Sequence, residues 1–509
     1  MKRRTVAVID IGTSSIRMAL ADIDETGNIQ SLEKLTQSVR LGQDVFTKGR
    51  IRRSTIEACV RTLESYQQVM REYQVDKENV RAVASSAVQE ASNRETLLDR
   101  VAMATGIEIE VVDDAEATRL TYLSVLPFIR DKRRTTTDHT LVMEVGGGRT
   151  EILELKNQSI VETRVMRLGS LRMRNQLEQQ RTPQDQIREV LEQEVSNSLH
   201  QLRDDFKKGN PSLILLGGEA RFVATQYNPD WKRDNLQTVP LKKWQKLTDE
   251  ILQMSTEQCV EQFHLTFAEA ESLGPALFAY ARFAEDLGCH TLKIGAFSMR
   301  DGLLQEMAQE QGWTEIYQEQ MLDSAMQLGR KFSIDEGHGR EVAGLALQLF
   351  DELSDEHHLS SRYRVLLQIA ALLHEIGTFI ASTSHHKHSM YILANSTIFG
   401  LGRRDSRIVA NVARYHRRSP PKSTHPYYQS LPRRDRIVVL QLSAILRIAD
   451  ALARSRGRRI HNILCERREE TLFVRVPGVD NLHLENSALQ VKGKMFEQVF
   501  GMNVILVKG

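Results

Sequence analysis

Two stretches of the chain share one pattern: Val6-Ala-Val-Ile-Asp-Ile-Gly-Thr-Ser-Ser15 and Leu141-Val-Met-Glu-Val-Gly-Gly-Gly-Arg-Thr150. Each is an apolar run typical of a buried strand, which ends in an acidic residue before a glycine-rich turn with hydroxyl side chains. Such a strand delivers one carboxylate to its tip, and the glycines let backbone N–H groups close around phosphate oxygens. A single pattern of this kind is weak evidence, because it is also found in ordinary β-turns. Two copies at this spacing predict the two halves of a single phosphate-binding cleft.

The order of predicted elements is also repeated, because strands alternate with helices after each of the two turns. From about Gln305 the strands disappear and apolar residues take helical spacing, as in Glu341–Leu353. The C-terminal residues regain strand character, and the polar stretch 130–138 is typical of a linker. We therefore predict an α/β duplication followed by an α domain. The predicted boundaries are lobe I, 1–130; lobe II, 131–304; a helical domain, 305–456; and a small α+β C-terminal domain, 457–509.

The composition is that of a globular protein, with 41% apolar and 26% charged residues in a chain of 509. No apolar run is long enough to span a bilayer, and the basic N-terminus lacks the apolar region of a signal peptide. The cysteines are far apart and form no C-x-x-C motif, which argues for a reducing compartment. We expect a cytoplasmic protein without a membrane partner.

Positive charge is concentrated in one region, although the net charge of the chain is only +2. Between Arg403 and Arg459 there are fifteen Lys or Arg residues and three acids. This composition leaves two interpretations open. The region is either a solvated basic face or a track for a polyanion such as polyphosphate, a nucleotide or a nucleic acid.

Further motifs occur in a fixed order along the chain: Val83–Asn93, Asp113–Leu120, Leu168-Gly-Ser170, Leu216-Gly-Gly-Glu-Ala-Arg221, Ser298–Leu304 and Leu372-Leu-His-Glu-Ile-Gly377. Together with the two turns, they resemble the exopolyphosphatase/guanosine pentaphosphate phosphohydrolase family over nearly the whole chain. The resemblance implies duplicated actin-like (ribonuclease H-like) ATPase lobes, a helical HD-like domain and a small α+β tail. It also implies that the cleft between the lobes removes a terminal phosphate with the help of Mg²⁺, and that the protein is a homodimer.

The resemblance assigns roles to residues of this cleft. Glu116 is the expected catalytic residue, which would prime the attacking water molecule. The expected Mg²⁺ ligands are the carboxylates of Asp10, Glu144 and Glu151. The expected phosphate-binding residues are Gly12, Thr13, Ser14, Ser15, Gly146, Gly147, Gly148, Arg149, Gly217 and Gly218.

This chain departs from the family pattern at five positions in the predicted cleft. They are Gln89 for Arg, Ala117 for Glu, Glu144 for Asp, Arg149 for Ser and Glu219 for Thr. The loss at position 117 leaves Glu116 as the neighbouring carboxylate, for which a solvated acid at a helix N-terminus is an equal alternative. Arg149 can partly compensate by gripping phosphate with two N–H groups. We therefore expect a site that is slowed, altered in substrate or restricted to binding.

A second group of residues lies in the helical part. Imidazoles and carboxylates of this kind bind borderline and hard metal ions, although a buried histidine is more often a hydrogen-bonding core residue. Their order resembles the HD phosphohydrolases, with Glu in place of Asp after the second histidine. The resemblance thus implies a second divalent metal ion. Its expected ligands are His338, His374, Glu375, His388, His416 and Asp450.

We expect a phosphoanhydride hydrolase that releases terminal phosphate from inorganic polyphosphate or guanosine pentaphosphate. Polyphosphate is favoured, because the basic region surrounds two predicted metal ligands and a chain polyanion needs a positive path. No specific nucleic-acid binding is expected. The alternatives are an HD-type metal phosphohydrolase whose actin-like part senses phosphate ligands, and a catalytically weak regulator that binds polyphosphate or a guanosine alarmone.

Overall fold

The computed structural model describes residues 3–129, 139–156, 159–200, 211–308, 315–417, 419–455, 460–479 and 481–508. The chain divides into two compact units, Met1–Gly312 and Trp313–Gly509, which are called unit 1 and unit 2. The predicted linker at 130–138 lies outside the described residues, and the four predicted domain boundaries stay predictions.

Unit 1 contains two mixed β-sheets with helices around them. The described strands are β1 Arg4–Ile11, β2 Ser15–Ile23, β3 Ile29–Ser38, β4 Val80–Ala84, β5 Ile109–Val111, β6 His139–Val145, β7 Thr150–Lys156, β8 Ser159–Met166, β9 Ser212–Leu216, β10 Gln237–Pro240 and β11 Thr291–Ile294. The described helices are α1 Leu41–Lys48, α2 Arg53–Glu72, α3 Ser86–Glu90, α4 Arg94–Thr105, α5 Asp114–Ile129, α6 Ser170–Gln179, α7 Ile187–His200, α8 Gly218–Tyr227, α9 Leu241–Leu252, α10 Thr256–Phe263, α11 Phe267–Asp286 and α12 Met299–Ala308.

The two sheets have equivalent topologies. The first, in lobe I, has the order β3-β2-β1-β4-β5, and the second, in lobe II, has the order β10-β11-β9-β6-β7-β8. In each lobe three antiparallel strands come first, and the next strand pairs in parallel with the first of them, β4 with β1 and β9 with β6. The repeat confirms the internal duplication predicted from the two glycine-rich turns.

The leading strand of lobe I is buried on both faces, which explains why its sequence is continuously apolar rather than alternating. Val6 and Val8 contact one hydrophobic cluster, while Ala7 and Ile9 contact another on the opposite side. Helix α12 completes the first of these clusters, although it lies at the end of the unit. It crosses α5 closely, because a Cβ on Gly302 would lie 2.0 Å from the backbone oxygen of Leu120.

One predicted helix is interrupted. The sequence favours a continuous helix over 86–98, but the chain leaves the helical conformation at Ala91 and a new helix begins at Arg94. The side chain of Asn93 explains the break, because its amide accepts from the N–H of Ile51 at 2.8 Å and donates to its carbonyl at 2.9 Å. The N–H of Ser92 also donates to the carbonyl of Gly49 at 3.0 Å, so contacts with this distant segment replace helical bonding after α3.

Unit 2 is mainly helical and ends in a small sheet. Its described helices are α13 Glu315–Lys331, α14 Glu336–Glu352, α15 Ser354–His357, α16 Ser361–Leu373, α17 His385–Asn395, α18 Arg403–Arg414, α19 Pro426–Gln429, α20 Arg433–Leu452 and α21 His483–Phe500. Its strands are β12 Leu464–Arg468, β13 Thr471–Val476 and β14 Asn503–Lys508, in the order β12-β13-β14. Helix α20 is the central element and packs on α14, α18 and α21. Among the described helices of both units, none has the length and apolarity to cross a membrane.

Candidate functional site

The two glycine-rich turns have the same backbone structure. In lobe I the N–H of Gly12 donates to the carbonyl of Ser15 at 2.9 Å, and in lobe II the N–H of Gly146 donates to the carbonyl of Arg149 at 2.8 Å. Each turn reverses the chain between two antiparallel strands. The hydroxyl and glycine residues of both turns therefore lie at the tips of hairpins, as the repeated sequence pattern predicts.

Each hairpin also carries a pair of charged residues directly opposite each other. The register places Asp10 of β1 opposite Arg17 of β2, and Glu144 of β6 opposite Glu151 of β7. Opposite residues of an antiparallel pair project from the same face of the sheet. The tip in lobe I thus holds an acid beside a guanidinium, whereas the tip in lobe II holds two carboxylates.

The two tips meet. A Cβ on Gly147 would lie 2.4 Å from the hydroxyl of Thr13 and 3.0 Å from Leu171 Cδ1, so only glycine allows this approach of lobe II to lobe I. Gly148 is equally confined, since its Cβ would lie 2.5 Å from the ring of Phe46. Both tips therefore line one shared cavity of about 130 Å³.

Most of the cleft residues predicted from the sequence lie in this cavity. Those that line it are Asp10, Gly12, Thr13, Ser14, Ser15, Glu144, Gly146, Gly147, Gly148, Arg149, Glu151 and Gly218. Gly217 stands just outside, between β9 and α8, with a φ of 102° that favours glycine. Beside it lies Tyr280, whose hydroxyl donates to the carbonyl of Leu216 at 2.5 Å and accepts from the N–H of Val145 at 2.8 Å. This tyrosine ties the ends of the two central strands of lobe II together.

Glu116, the predicted catalytic residue, is not among the residues that line the cavity. Arg119 donates from Nε and Nη2 to its two carboxylate oxygens at 2.9 and 2.7 Å. The same guanidinium lies 2.9 Å from Glu306 of α12 and is 2% exposed. Ala117 is fully buried in the core of lobe I. The geometry thus gives Glu116 a part in an ion-pair network between α5 and α12.

Arg149 reaches from the tip of lobe II to lobe I. Its guanidinium forms an ion pair with Asp114, at the start of α5, and lies 3.5 Å from the side-chain oxygen of Gln89. Its Nε is 3.8 Å from Glu151. Two of the five departures from the family pattern, Gln89 and Arg149, are therefore in contact.

The electrostatics of the cavity are set by burial and by close like charges. Burial raises the pKa of Glu151 to about 7, an effect that Arg149 opposes and Glu144 strengthens. Burial also raises the pKa of Glu144, with Arg221 opposing this change and Asp10 adding to it. The pKa of Arg221 is lowered by burial. Such a site gains from a bound cation beside its carboxylates and from an anion beside its arginines.

Three further charged residues line the cavity: Arg17 and Arg221, which were not predicted as site residues, and Glu219, which was predicted only as a departure from the family pattern. For Arg17 a signal was available, because a hairpin after Asp10 must bring a residue of the returning strand opposite it. Glu219 and Arg221 belong to the first turn of α8. They come directly after Gly217 and Gly218, which were predicted to bind phosphate. Glu219 is held by the hydroxyl of Ser272, which donates to it at 2.8 Å.

The cavity has the donors that Mg²⁺ requires. Asp10, Glu144 and Glu151 offer carboxylate oxygens, the hard ligands that this ion prefers. Within the described chain, a set of three ligand atoms within 4.8 Å of one another occurs in unit 2 and not among these acids. In this geometry the three acids could not all ligate one ion, so the expected Mg²⁺ would take one or two of them and complete its coordination with water and substrate phosphates.

In unit 2 the structure brings together three of the six predicted metal ligands. The ligand atoms of His338, His374 and Asp450 lie within 4.8 Å of one another. Glu375 and His388 are outside this group.

His416, which is also outside this group, lies beside it, with its ring centroid 4.9 Å from that of His374. Burial lowers the pKa of His416 well below its ordinary value. Burial also opposes ionisation of Asp450, but Lys492 and the histidines outweigh it and lower the pKa of that carboxyl.

The three acids of the arginine-rich region are all buried and paired. The pairs are Asp405 with Arg362, Asp435 with Arg404, and Asp450 with Lys492. Each of these acids is buried in unit 2 and forms its ion pair there. They therefore do not neutralise the other basic residues between positions 403 and 459. Both interpretations of that region, a solvated face and a polyanion track, stay open.

Two sequence-family models match the chain and cover most of it. The model described as the Ppx/GppA phosphatase family matches residues 6–311, and the model described as Ppx/GppA phosphatase, domain III, matches residues 322–492. A guanosine-5'-triphosphate,3'-diphosphate pyrophosphatase of Photobacterium profundum is 20% identical over 463 residues, which are 91% of this chain and 87% of that protein.

Solved structures share the fold. An exopolyphosphatase from Cytophaga hutchinsonii ATCC 33406 is 19% identical, with a TM-score of 0.54, over 60% of this chain and 98% of its own. An exopolyphosphatase-like protein is 20% identical, with a TM-score of 0.54, over 61% and 99%. This likeness confirms the predicted actin-like α/β core, while the HD-like character of the helical domain stays a prediction. The first family model matches more than half of the residues of this chain, which therefore belongs to the Ppx/GppA phosphatase family.

Proposed function

We propose that the cavity of unit 1 hydrolyses a phosphoanhydride bond and releases the terminal phosphate of inorganic polyphosphate, with guanosine pentaphosphate as the alternative substrate. The observation that carries this proposal is the meeting of the two hairpin tips, with Gly147 against Thr13 in one cavity. Membership of a phosphatase family supports the reaction class. The similarity to a guanosine-5'-triphosphate,3'-diphosphate pyrophosphatase keeps the alternative substrate in view.

Phosphate binding follows from the turns and the arginines. Backbone N–H groups of the glycine-rich loops point their partial positive charge at anions, and hydroxyls of Thr13 and Ser14 add donors. Arg17 and Arg221 bring full charges to the same cavity. Hydrolysis spreads negative charge over the phosphoryl oxygens, so donors that are fixed in advance lower its barrier.

Mg²⁺, when bound, would neutralise negative charge on the substrate phosphates, and one or two of the carboxylates of Asp10, Glu144 and Glu151 would hold it. The remaining acid in the cavity is Glu219. We assign to it the role of orienting and deprotonating the attacking water molecule. Its carboxylate is fixed by Ser272 and lines the cavity, whereas that of Glu116 is bound by Arg119 and does not.

The test is phosphate release from long-chain polyphosphate by the full-length protein with Mg²⁺. We expect Glu219→Gln to lower the rate about 10²–10³-fold, the usual contribution of a general base. Glu116→Gln is the matched control and should keep the rate within a few-fold. A large loss in Glu116→Gln with an active Glu219→Gln would reverse the assignment of the base.

Two further measurements test where the reaction takes place and which substrate is preferred. Asp10→Asn should abolish release if the cavity is the site of chemistry, and an unchanged rate would place the chemistry elsewhere. Guanosine pentaphosphate, supplied at the same concentration of terminal phosphate, measures substrate preference through kcat/KM. Tight binding of polyphosphate without release by the wild type would support the regulator and refute the hydrolase.

A further inference from the structure

Unit 2 contains a buried group of three side chains that the proposed function does not use. It consists of His338, His374 and Asp450, whose ligand atoms lie within 4.8 Å of one another and which are 5%, 1% and 8% exposed. They come from three segments, since His338 is on α14, His374 follows α16 and Asp450 is on α20. The group is therefore positioned by the helical core of unit 2.

The ring of His374 is oriented toward this group with an unprotonated nitrogen. Its Nδ1 lies 2.7 Å from the carbonyl oxygen of Ala371, which can only accept, so Nδ1 carries the proton and Nε2 has a lone pair. In the part of the chain that the structure describes, Nε2 is buried and has no hydrogen-bond partner. A buried polar atom without a partner is costly, and a backbone carbonyl on the opposite nitrogen is the usual way to orient a metal-binding histidine.

His416 is held in the same way, with its Nδ1 2.6 Å from the carbonyl of Ala413. Its Nε2 is 3.3 Å from Nε2 of His385, and the two rings are stacked at an interplanar angle of 19°. His374 meets His416 edge-on, at 78°. Imidazoles with fixed orientations thus form one wall of the group.

One charged side chain, Lys492, already contacts the group. Lys492 forms an ion pair with Oδ2 of Asp450, so an ammonium group already neutralises one of the two carboxylate oxygens. That side chain is 16% exposed and comes from α21, which packs along α20. The group therefore already has one positive charge next to its carboxylate.

We propose that unit 2 binds one divalent first-row transition-metal ion of the Zn²⁺ class through His338, His374 and Asp450. Two imidazole nitrogens and one carboxylate favour Zn²⁺ or Fe²⁺ over Mg²⁺ and Ca²⁺, which prefer oxygen ligands. Three protein ligands leave positions for water or a phosphate oxygen, as in open metal sites. The proposal does not depend on the chemistry of the unit 1 cavity.

The test measures metal binding directly. Tag-free full-length protein is treated with a chelator, and Zn²⁺ is titrated by calorimetry in excess Mg²⁺, which occupies sites that prefer oxygen ligands. We expect one Zn²⁺ per chain, confirmed by elemental analysis of the dialysed protein. His374→Ala should weaken binding at least 100-fold, whereas His388→Ala, a histidine of the same unit outside the group, should keep it.

A second readout does not depend on how well the variants fold. Co²⁺ added to the wild-type apoprotein should give visible absorption bands of a nitrogen-ligated ion, and Zn²⁺ should displace them. Circular dichroism of His374→Gln and Asp450→Asn checks that unit 2 remains helical. The proposal is overturned if the wild type binds no Zn²⁺ under these conditions, if it binds two ions in unit 2, or if folded His374→Gln binds as tightly as the wild type.

Discussion

Glu151 makes unit 1 less stable at alkaline pH, and its replacement by glutamine should reverse this effect. The carboxyl lies at the tip of β7, is 9% exposed and has a pKa raised from 4.5 to about 7, mainly by burial. A raised pKa means that the folded protein holds the proton more tightly than the unfolded chain does. The folded state is therefore disfavoured once that proton must leave.

The magnitude follows from the size of this change. A difference between 4.5 and about 7 corresponds to about 3 kcal/mol, since one pKa unit is about 1.4 kcal/mol. Below pH 4.5 the carboxyl is protonated in both states and contributes nothing. Between pH 4.5 and 7 the penalty grows, and above pH 7 it is complete. Glu151→Gln keeps the shape of the side chain without the charge, so its advantage over the wild type should rise from near zero to about 3 kcal/mol at pH 8.

The assay is urea unfolding of both proteins at several pH values in EDTA, followed by tryptophan fluorescence, to which Trp244 in the buried core of lobe II contributes. Glu257→Gln is the control, because hydrogen bonds lower the pKa of that exposed carboxyl and its removal should give no gain at pH 8. An advantage of Glu151→Gln that is independent of pH, or a loss of stability at pH 8, would refute the reasoning. Adding Mg²⁺ should reduce the advantage, if the ion neutralises the wild-type carboxylate.

Two further predictions concern contacts that hold unit 1 together. Arg119→Met should destabilise unit 1 by about 3–5 kcal/mol in the same unfolding assay, because it removes the guanidinium partner of Glu116 and leaves Glu306 with only a 3.9 Å contact to Arg81; a change below 1 kcal/mol would contradict this. Gly147→Ala should lower kcat/KM for polyphosphate roughly tenfold, since its methyl group would overlap the hydroxyl of Thr13 and separate the tips. Thr13→Ala in the same chain should restore part of the loss, and no recovery would show that the overlap is not the cause.

The architecture of unit 1 was largely predictable, because it depends on local patterns. The apolar runs that end in Asp10 and Glu144 predict buried strands, and their repetition predicts the duplication. The interruption after α3 was not predictable from periodicity. It depends on the bonds of Asn93 to Ile51, a residue distant in sequence, and such contacts override helix propensity.

The candidate sites show the same limit. Motif position placed most residues of the unit 1 cavity correctly, since glycine-rich turns fix their own geometry. It could not show that Arg119 holds Glu116 in a network with Glu306, because this depends on how α5 and α12 pack. In unit 2 the order of histidines along the sequence likewise did not separate His374 from His388. That distinction requires the three-dimensional packing of α14, α16 and α20.

The departures from the family pattern become a connected set once the fold is known. Taken from the sequence alone, Gln89 in place of Arg is the loss of a positive charge and Arg149 in place of Ser is a separate gain. In the fold the guanidinium of Arg149 lies 3.5 Å from the side chain of Gln89 and pairs with Asp114, so a positive charge still occupies the boundary between the lobes. An arginine from lobe II can thus supply there the charge that the family pattern supplies from lobe I. Under the proposed function, we expect this exchange to keep phosphate binding while it changes which lobe grips the substrate.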